Sequence, residues 1–365
     1  MKKQLQSTSW AWLLLLIGLC ACTSSEKQTD YTHAIPANAT EIAAINLADM
    51  ALKAGLNQSE SSEATQKIIH LLMEGGSTSF TQQMEAIGKN PAETGIDWSQ
   101  PAYFFKAPSL HAPALSLKLL QPSKLQALLE TLAAEGLCTA PAEAEGYRSC
   151  ALPDNGIGLA FNKGTLLIVY AGSNAQLQKL QPAVTALMNQ PAEKSLHTHP
   201  HFTALQKQKG DICFLATPDA LPFELRGVFS WPQGTPLTGY ALFENGRIYG
   251  NLQRADFEGE TSEGNQPFHP QNSLDLQKAI NTMRYGHPFN IELTTEELLT
   301  LTNLRVRMEF TPNDPDVQTR YRLIQKIETM NVRGDGNRTK LTVVLKDSQN
   351  PLKQLADEAI LLFGL

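Results

Sequence analysis

The run Ile157-Gly-Leu-Ala-Phe161, Asn162-Lys-Gly164, Leu166-Leu-Ile-Val-Tyr170 decides the fold class. Two short apolar segments flank a turn in which Asn and Gly supply hairpin chemistry, so the run predicts an antiparallel pair of strands. Directly behind it, residues 174–188 carry Leu177, Leu180, Val184 and Leu187 at helical spacing. Upstream, strands at 102–105 and 114–120 precede a helix at 123–134 opened by Pro122, with Leu125, Leu128, Leu129 and Leu132 on one face. Strand pairs thus alternate with single helices, which hints at a repeated unit without enough similarity to establish a duplication.

Outward from this centre the pattern persists. Glu41-Ile-Ala-Ala-Ile-Asn-Leu47 reads as a buried strand entering a helix near 48–54, and residues 66–74 read as a helix ended by Gly75-Gly76. Asn245-Gly246 is the strongest hairpin signal and joins strands at 240–244 and 247–252. A helix at 274–283 is followed by strands near 304–310, 320–332 and 341–345, the last two joined by Gly334-Asp-Gly-Asn337. A closing helix at 352–362 is expected to turn Leu355, Ala359, Leu362 and Phe363 inward. The sum is α+β, with mostly antiparallel sheets, packed helices and two lobes. Asn189-Gln-Pro-Ala-Glu-Lys-Ser195 and the polar stretch 258–272 are the breaks, which gives lobes at 35–190 and 191–365.

The precursor of 365 residues carries a formal charge of −6, with 42% hydrophobic and 18% charged residues, as a folded chain should. Net negative charge repels phosphate backbones, so nucleic acid is not an expected partner. Basic residues gather between Arg305 and Lys340, but Glu309, Asp314, Asp316, Glu328 and Asp335 are interspersed, so the stretch reads as a solvated strand face.

The amino terminus reads as an address. Lys2 and Lys3 precede the apolar run Trp10-Ala-Trp-Leu-Leu-Leu-Leu-Ile-Gly-Leu19, too short for a hydrocarbon core that needs about 20 residues. Leu19-Cys20-Ala21-Cys22 then resembles the lipobox of bacterial lipoproteins. That resemblance implies a signal peptide over residues 1–21, cleavage after Ala21, lipid on Cys22 and a polar tether over residues 22–34. Cys20 is the poorer site, because bulky Leu19 would sit next to the cut. No aspartate follows Cys22, which favours the outer membrane, facing the periplasm or the surface. Of the remaining cysteines, Cys138 and Cys150 flank a turn-rich stretch and could be bridged in an oxidising compartment. Cys213 alternates as a buried strand residue does.

With these segments in hand, the chain resembles the DUF4836 family of Bacteroidetes lipoproteins. The resemblance rests on residues 35–47, on Pro91-Ala-Glu-Thr-Gly-Ile-Asp97 leading to the aromatic strand, on 202–211 and on Asn350-Pro-Leu-Lys353. It is expected to cover the whole mature chain. It implies an envelope address and an architecture, but no activity and no assigned functional residues.

His197-Thr-His-Pro-His201 is the arrangement that invites a metal. Three imidazoles in five residues suit Zn²⁺ or Cu²⁺, and an extended strand would place His197, His199 and His201 on one face. The same run also reads as a solvated linker ahead of a helix at 202–207. Asp97, Trp98, Tyr103, Phe104 and Phe105 could line a sugar-stacking groove, or simply fill core and surface of one strand. Gly-x-Ser-x-Gly, His-Glu-x-x-His and Gly-x-x-x-x-Gly-Lys signatures are missing, so no catalytic residue and no cofactor are assigned. The expectation is a non-enzymatic binding or structural role, with the membrane as partner through the N-terminal lipid and an envelope protein or glycan as the second. The alternative is a hydrolase of envelope polysaccharide or peptide, its carboxylates drawn from distant segments.

Overall fold

The computed structural model describes residues 30–56, 76–221, 231–257, 259, 267–270, 272–284, 287–335 and 337–362. The leader, Cys22, the tether up to residue 29 and the expected helix at 66–74 lie outside the described residues, as does most of the 258–272 break. The chain divides into two compact units between Phe202 and Thr203, and Leu355–Leu365 group with the first unit. The architecture is α+β with antiparallel strands, as the hairpin signals require.

In the first unit, strands β1 (Glu41–Ile45), β2 (Ala102–Lys106), β3 (Pro113–Lys118), β4 (Ala142–Glu143), β5 (Arg148–Leu152), β6 (Ile157–Phe161) and β7 (Thr165–Tyr170) form an antiparallel array in the order β1-β2-β3-β7-β6-β5-β4. Helices α1 (Leu47–Lys53), α2 (Thr78–Lys89), α3 (Pro122–Ala134) and α4 (Asn174–Met188) accompany it, and α5 (Phe202–Gln206) starts at the unit boundary. The β6–β7 turn closes because the Asn162 carboxamide oxygen accepts the N–H groups of Gly164 (3.1 Å) and Thr165 (3.0 Å), an Asx turn.

Alternation along β6 sends Ile157, Leu159 and Phe161 to one face, where they pack with Leu125 and Leu129 of α3. Phe80, Met84 and Ile87 of α2 meet Leu128 behind α3. Gly158 points to the opposite face, where an added Cβ would lie 2.6 Å from Leu177 of α4. The near-continuous apolar run of β7 therefore reflects cover on both sides, and residues Thr165 through Val169 are all buried.

The Pro91–Asp97 motif is a lock rather than a binding surface. Gly95 sits at φ +79° and accepts the N–H groups of Leu120 (2.8 Å) and Gln121 (3.0 Å) on its carbonyl. Asp97 is buried and pairs with Lys118 at 3.0 Å. Trp98 is buried too, its indole N–H donating to the Thr94 hydroxyl at 3.1 Å.

In the second unit, β8 (Ile212–Ala216), β9 (Leu237–Glu244), β10 (Arg247–Arg254), β11 (Phe289–Thr294), β12 (Ile327–Gly334) and β13 (Arg338–Leu345) run antiparallel in the order β11-β12-β13-β10-β9-β8. Asn245-Gly246 closes the β9–β10 hairpin, with Gly246 at φ +68°. Helices α6 (Ser273–Arg284), α7 (Thr295–Leu301), α8 (Leu304–Phe310) and α9 (Pro315–Gln325) accompany them, and α10 (Pro351–Leu362), grouped with the first unit from Leu355 onward, is the last described α-helix.

The strands expected at 304–310 and across 320–326 are helices. Leu304, Val306, Met308 and Phe310 alternate with charged residues, which imitates period two. Leu304 and Met308, four apart, instead share a helical face against Val317, while Val306 and Phe310 are exposed. Helix starts were present in the sequence: Thr294 and Glu297 form a capping box, and Pro315 opens α9. Leu355, expected inward on α10, faces solvent, and Pro351 and Gln354 are buried instead.

An alanine at Gly95 would place Cβ 2.2 Å from the Gln121 carbonyl oxygen and hold a left-handed residue. Gly95→Ala should cost roughly 2–4 kcal/mol, combining left-handed strain with overpacking, and lower the urea midpoint accordingly. An unchanged midpoint would show that the lock is loose.

Candidate functional site

The first turn of the first unit is a 3-10 helix, Tyr31–Ala34. Asp30 caps it, its Oδ1 accepting the N–H (2.9 Å) and the hydroxyl (2.6 Å) of Thr32. Three residues make one turn of such a helix, so side chains at i and i+3 eclipse, and Asp30 and His33 project to the same side. Tyr31 is buried in the opposite sense. Its hydroxyl donates to the Pro101 carbonyl (2.7 Å), and its carbonyl accepts the Ser116 hydroxyl (2.9 Å). Burial, reinforced by Tyr103, Asp30 and Asp97, pushes the Tyr31 phenol far above its ordinary pKa.

A second 3-10 turn, Leu196–Thr198, is pinned against the first. Leu196 and Ile35 are fully buried. The N–H of Leu196 donates to the Ile35 carbonyl, and the N–H of Ala37 donates to the Lys194 carbonyl, both at 2.8 Å. This docking presents His197 to the N-terminal turn. Its Nε2 bonds Asp30 Oδ2 and lies 3.0 Å from the Thr32 hydroxyl oxygen. The ring stands edge-on to His33 and to Phe202, at centroid distances of 5.8 Å each. Donor atoms of Asp30, His33 and His197 all lie within 4.8 Å of one another. Burial acts against the Asp30 carboxylate, but hydrogen bonds from Thr32 and the charge His197 can carry outweigh it and hold the pKa below its ordinary value.

The expected triplet of His197, His199 and His201 does not converge. The segment is a 3-10 turn followed by Pro200 and α5, so alternate side chains do not share a face. His199 instead packs against His201 at a centroid distance of 6.2 Å and accepts the His201 backbone N–H on Nδ1 at 3.2 Å. Burial, then His201, lowers the His199 pKa. Asp30 and His33 were missed, and the signal that could have found them is their spacing of three ahead of a proline. Their meeting with His197 is a long-range event that local spacing does not announce.

Beside this cluster lies an open cleft of about 670 Å³ whose lining includes Pro36, Asn38, Glu145, Leu187, Gln190 and Lys194. Its wall is fixed by the Asn189 amide donating to the Glu145 carbonyl (2.8 Å) and by Tyr147, whose hydroxyl meets Thr185 at 2.8 Å. Glu145 and Glu193, its two carboxylates, are both exposed, so neither has the apolar surroundings that a general-acid carboxyl needs. The aromatic groove considered around Asp97 is not formed, because Asp97, Trp98 and Phe105 are buried.

Cys138 and Cys150 are brought together as buried free thiols in mutual contact. The hydrogen bond from Cys150 lowers the Cys138 pKa, and the same bond, with burial, raises that of Cys150. Cys213 is a separate buried thiol, shifted upward by burial.

The family model of DUF4836, a domain of unknown function, matches residues 31–228, more than half of the chain. The chain belongs to the DUF4836 family. The DUF4836 match begins at Tyr31, contains the N-terminal turn and the 194–202 docking segment, and stops before Asn350-Pro-Leu-Lys353. Coverage of the whole mature chain is thus not found. No curated protein matches the chain. A solved structure described as "Structure of crystal form I of TP0453" is similar at 9% identity and a TM-score of 0.38, over 93% of this chain and 99% of that one, a likeness too distant to carry an argument. No helix among the described residues is long and apolar enough to cross a membrane.

Removing the Tyr31 hydroxyl tests how firmly the N-terminal turn is held. Tyr31→Phe leaves the Pro101 carbonyl without its donor and should destabilise the chain by about 1 kcal/mol. Denaturation of the variant beside the wild type reads this directly, and a neutral result would mean that packing alone holds the turn.

Proposed function

We propose that this DUF4836 protein is a cell-envelope lipoprotein of the outer membrane with a non-enzymatic binding or structural role. The observation that carries the reading is the order Lys2-Lys3, apolar run, Leu19-Cys20-Ala21-Cys22 ahead of a folded body whose described part starts at Asp30. Seven residues separate Cys22 from Asp30, a span of at most ~27 Å at full extension, so lipid on Cys22 keeps the N-terminal turn and its cleft close to the bilayer. Several acyl chains at roughly 0.8 kcal/mol per buried methylene make release from the membrane slow.

The open cleft, with its largely apolar lining and its amide and charged rim, suits an envelope protein segment or a glycan better than it suits hydrolysis. Exposed Glu145 and Glu193 can hydrogen-bond a ligand but lack the environment of an acid–base pair. In the same reading, export oxidises Cys138 and Cys150. The two thiols release two protons and pass two electrons to a disulfide-carrying oxidant of the compartment, which becomes a dithiol. Closing that loop would contribute about 3 kcal/mol in the chain-entropy model.

Lipidation is read with labelled palmitate in cells followed by envelope fractionation. Wild type should take up label and remain in the envelope after a high-salt wash, whereas Cys22→Ser should take up none and keep its leader. Equal labelling of Cys22→Ser would refute the assignment. The bridge is read by alkylating the envelope-extracted protein under denaturing conditions without reductant. Cys213 should alkylate while Cys138 and Cys150 remain joined as one peptide pair, and alkylation of all three would show that the pair stays reduced.

A further inference from the structure

We propose that Asp30, His33 and His197 form a binding site for a divalent transition ion of the Zn²⁺ class. Two imidazoles and one carboxylate are the donor set such ions take, with bonds of about 2.0–2.2 Å, which places donors about 3.3 Å apart in a tetrahedral shell. The three donor groups already lie within 4.8 Å of one another. Small side-chain rotations complete the set, with the ion inserted where Asp30 Oδ2 and His197 Nε2 now bond directly. Three protein ligands leave a fourth position open to water or to a donor on a ligand.

The surroundings supply what a ligand cluster needs and an ordinary surface ion pair does not. Thr32 donates both its N–H and its hydroxyl to Asp30 Oδ1, which leaves Oδ2 aimed at the cluster and orients the carboxylate. Phe202 backs the His197 ring edge-on. The Gln190 side-chain amide donates to the His33 carbonyl, fixing the backbone that carries that imidazole. Both 3-10 turns are tied together by the 2.8 Å backbone bonds at Leu196 and Ala37, so the donors are held by rigid partners from opposite ends of the first unit. A direct Asp30–His197 pair would explain those two residues alone. It gives no reason for a second imidazole, that of His33, at the same point. The inference stands on these side chains and does not depend on lipid attachment.

The test uses the full chain in detergent, stripped with a chelator and then titrated with Zn²⁺ by calorimetry and with Co²⁺ by visible absorption. One ion per chain and cobalt d–d bands are expected. Thr32→Val should weaken binding ~10–100-fold as an outer-shell loss, and His33→Ala should weaken it by more. The double variant His199→Ala with His201→Ala should bind as wild type does. His33→Cys keeps three ligands and should add a thiolate-to-cobalt charge-transfer band that saturates at one ion per chain and is not seen in the wild type, read on protein whose melt in chelator shows it folded. The site is overturned by any of three results: no saturable binding, unchanged affinity in His33→Ala, or loss of binding in the His199/His201 variant. A thermal melt in chelator confirms that His33→Ala is folded before its affinity is compared.

Discussion

Ile35 and Leu196, 161 positions apart in the chain, are both fully buried, and the backbone bonds Leu196 N–H to Ile35 O and Ala37 N–H to Lys194 O tie their segments together. Closing a free loop of that length costs about 4–5 kcal/mol of chain entropy. Two buried aliphatic side chains at roughly 2 kcal/mol each and two net hydrogen bonds at about 1 kcal/mol each are of the same size. The contact can therefore persist because the intervening strands already hold the two ends near each other. Everything notable around the N-terminal turn follows from it. His197 is delivered to Asp30, the cleft acquires its wall from Gln190 to Lys194, and residues 191–202 are retained in the first unit.

That last consequence accounts for the compact units dividing at Phe202, beyond the break that composition marks at 189–195. The stretch 189–195 has the composition of a linker, rich in Gln, Pro, Glu and Lys, and its solvent-facing side chains are those of one. Its backbone is another matter, since Ser195 bridges Pro36 and the chain is committed to the first unit through Phe202. Composition reports which side chains meet water. It is silent on where the backbone hydrogen bonds go.

Elements whose signals are local were legible. Helix α4 is bounded as its leucine spacing indicates, α3 starts at Pro122, and both Asn/Gly turns close hairpins. The misreadings share one cause, namely a local pattern with two physical solutions. Alternation from Leu304 to Phe310 satisfies both period two and an i, i+4 pair, and only packing against Val317 and Leu299 selects the helix. His197-x-His-x-His201 satisfies an extended ligand face, but the 3-10 turn rotates His199 away towards His201. Along the aromatic run at 103–105, Tyr103 and Phe105 share one strand face and Phe104 takes the other; Phe105 is core while Tyr103 and Phe104 are half-buried. The candidate site was half legible, because His197 was singled out while its partners, Asp30 and His33, lie at the far end of the first unit.

The position of Tyr31 separates two jobs that would otherwise fall on one residue. On the proposed anchoring, any pull from the bilayer enters the fold along residues 23–29 and meets Asp30 first. Asp30 is half-buried and held chiefly by Thr32 and His197, so it would be dragged from its partners if it bore that load alone. The next residue is buried and bonded at both ends, its hydroxyl to Pro101 and its carbonyl to Ser116 of β3, a strand interior to the array. Load is passed through Tyr31 into the sheet, so His33, which follows it, is shielded from the anchor, while Asp30, on the tether side, relies on Thr32 and His197 to keep its place. Only one residue of the cluster therefore stands between the tether and the point where the fold takes the load, and its carboxylate is the one held by three side-chain and backbone bonds.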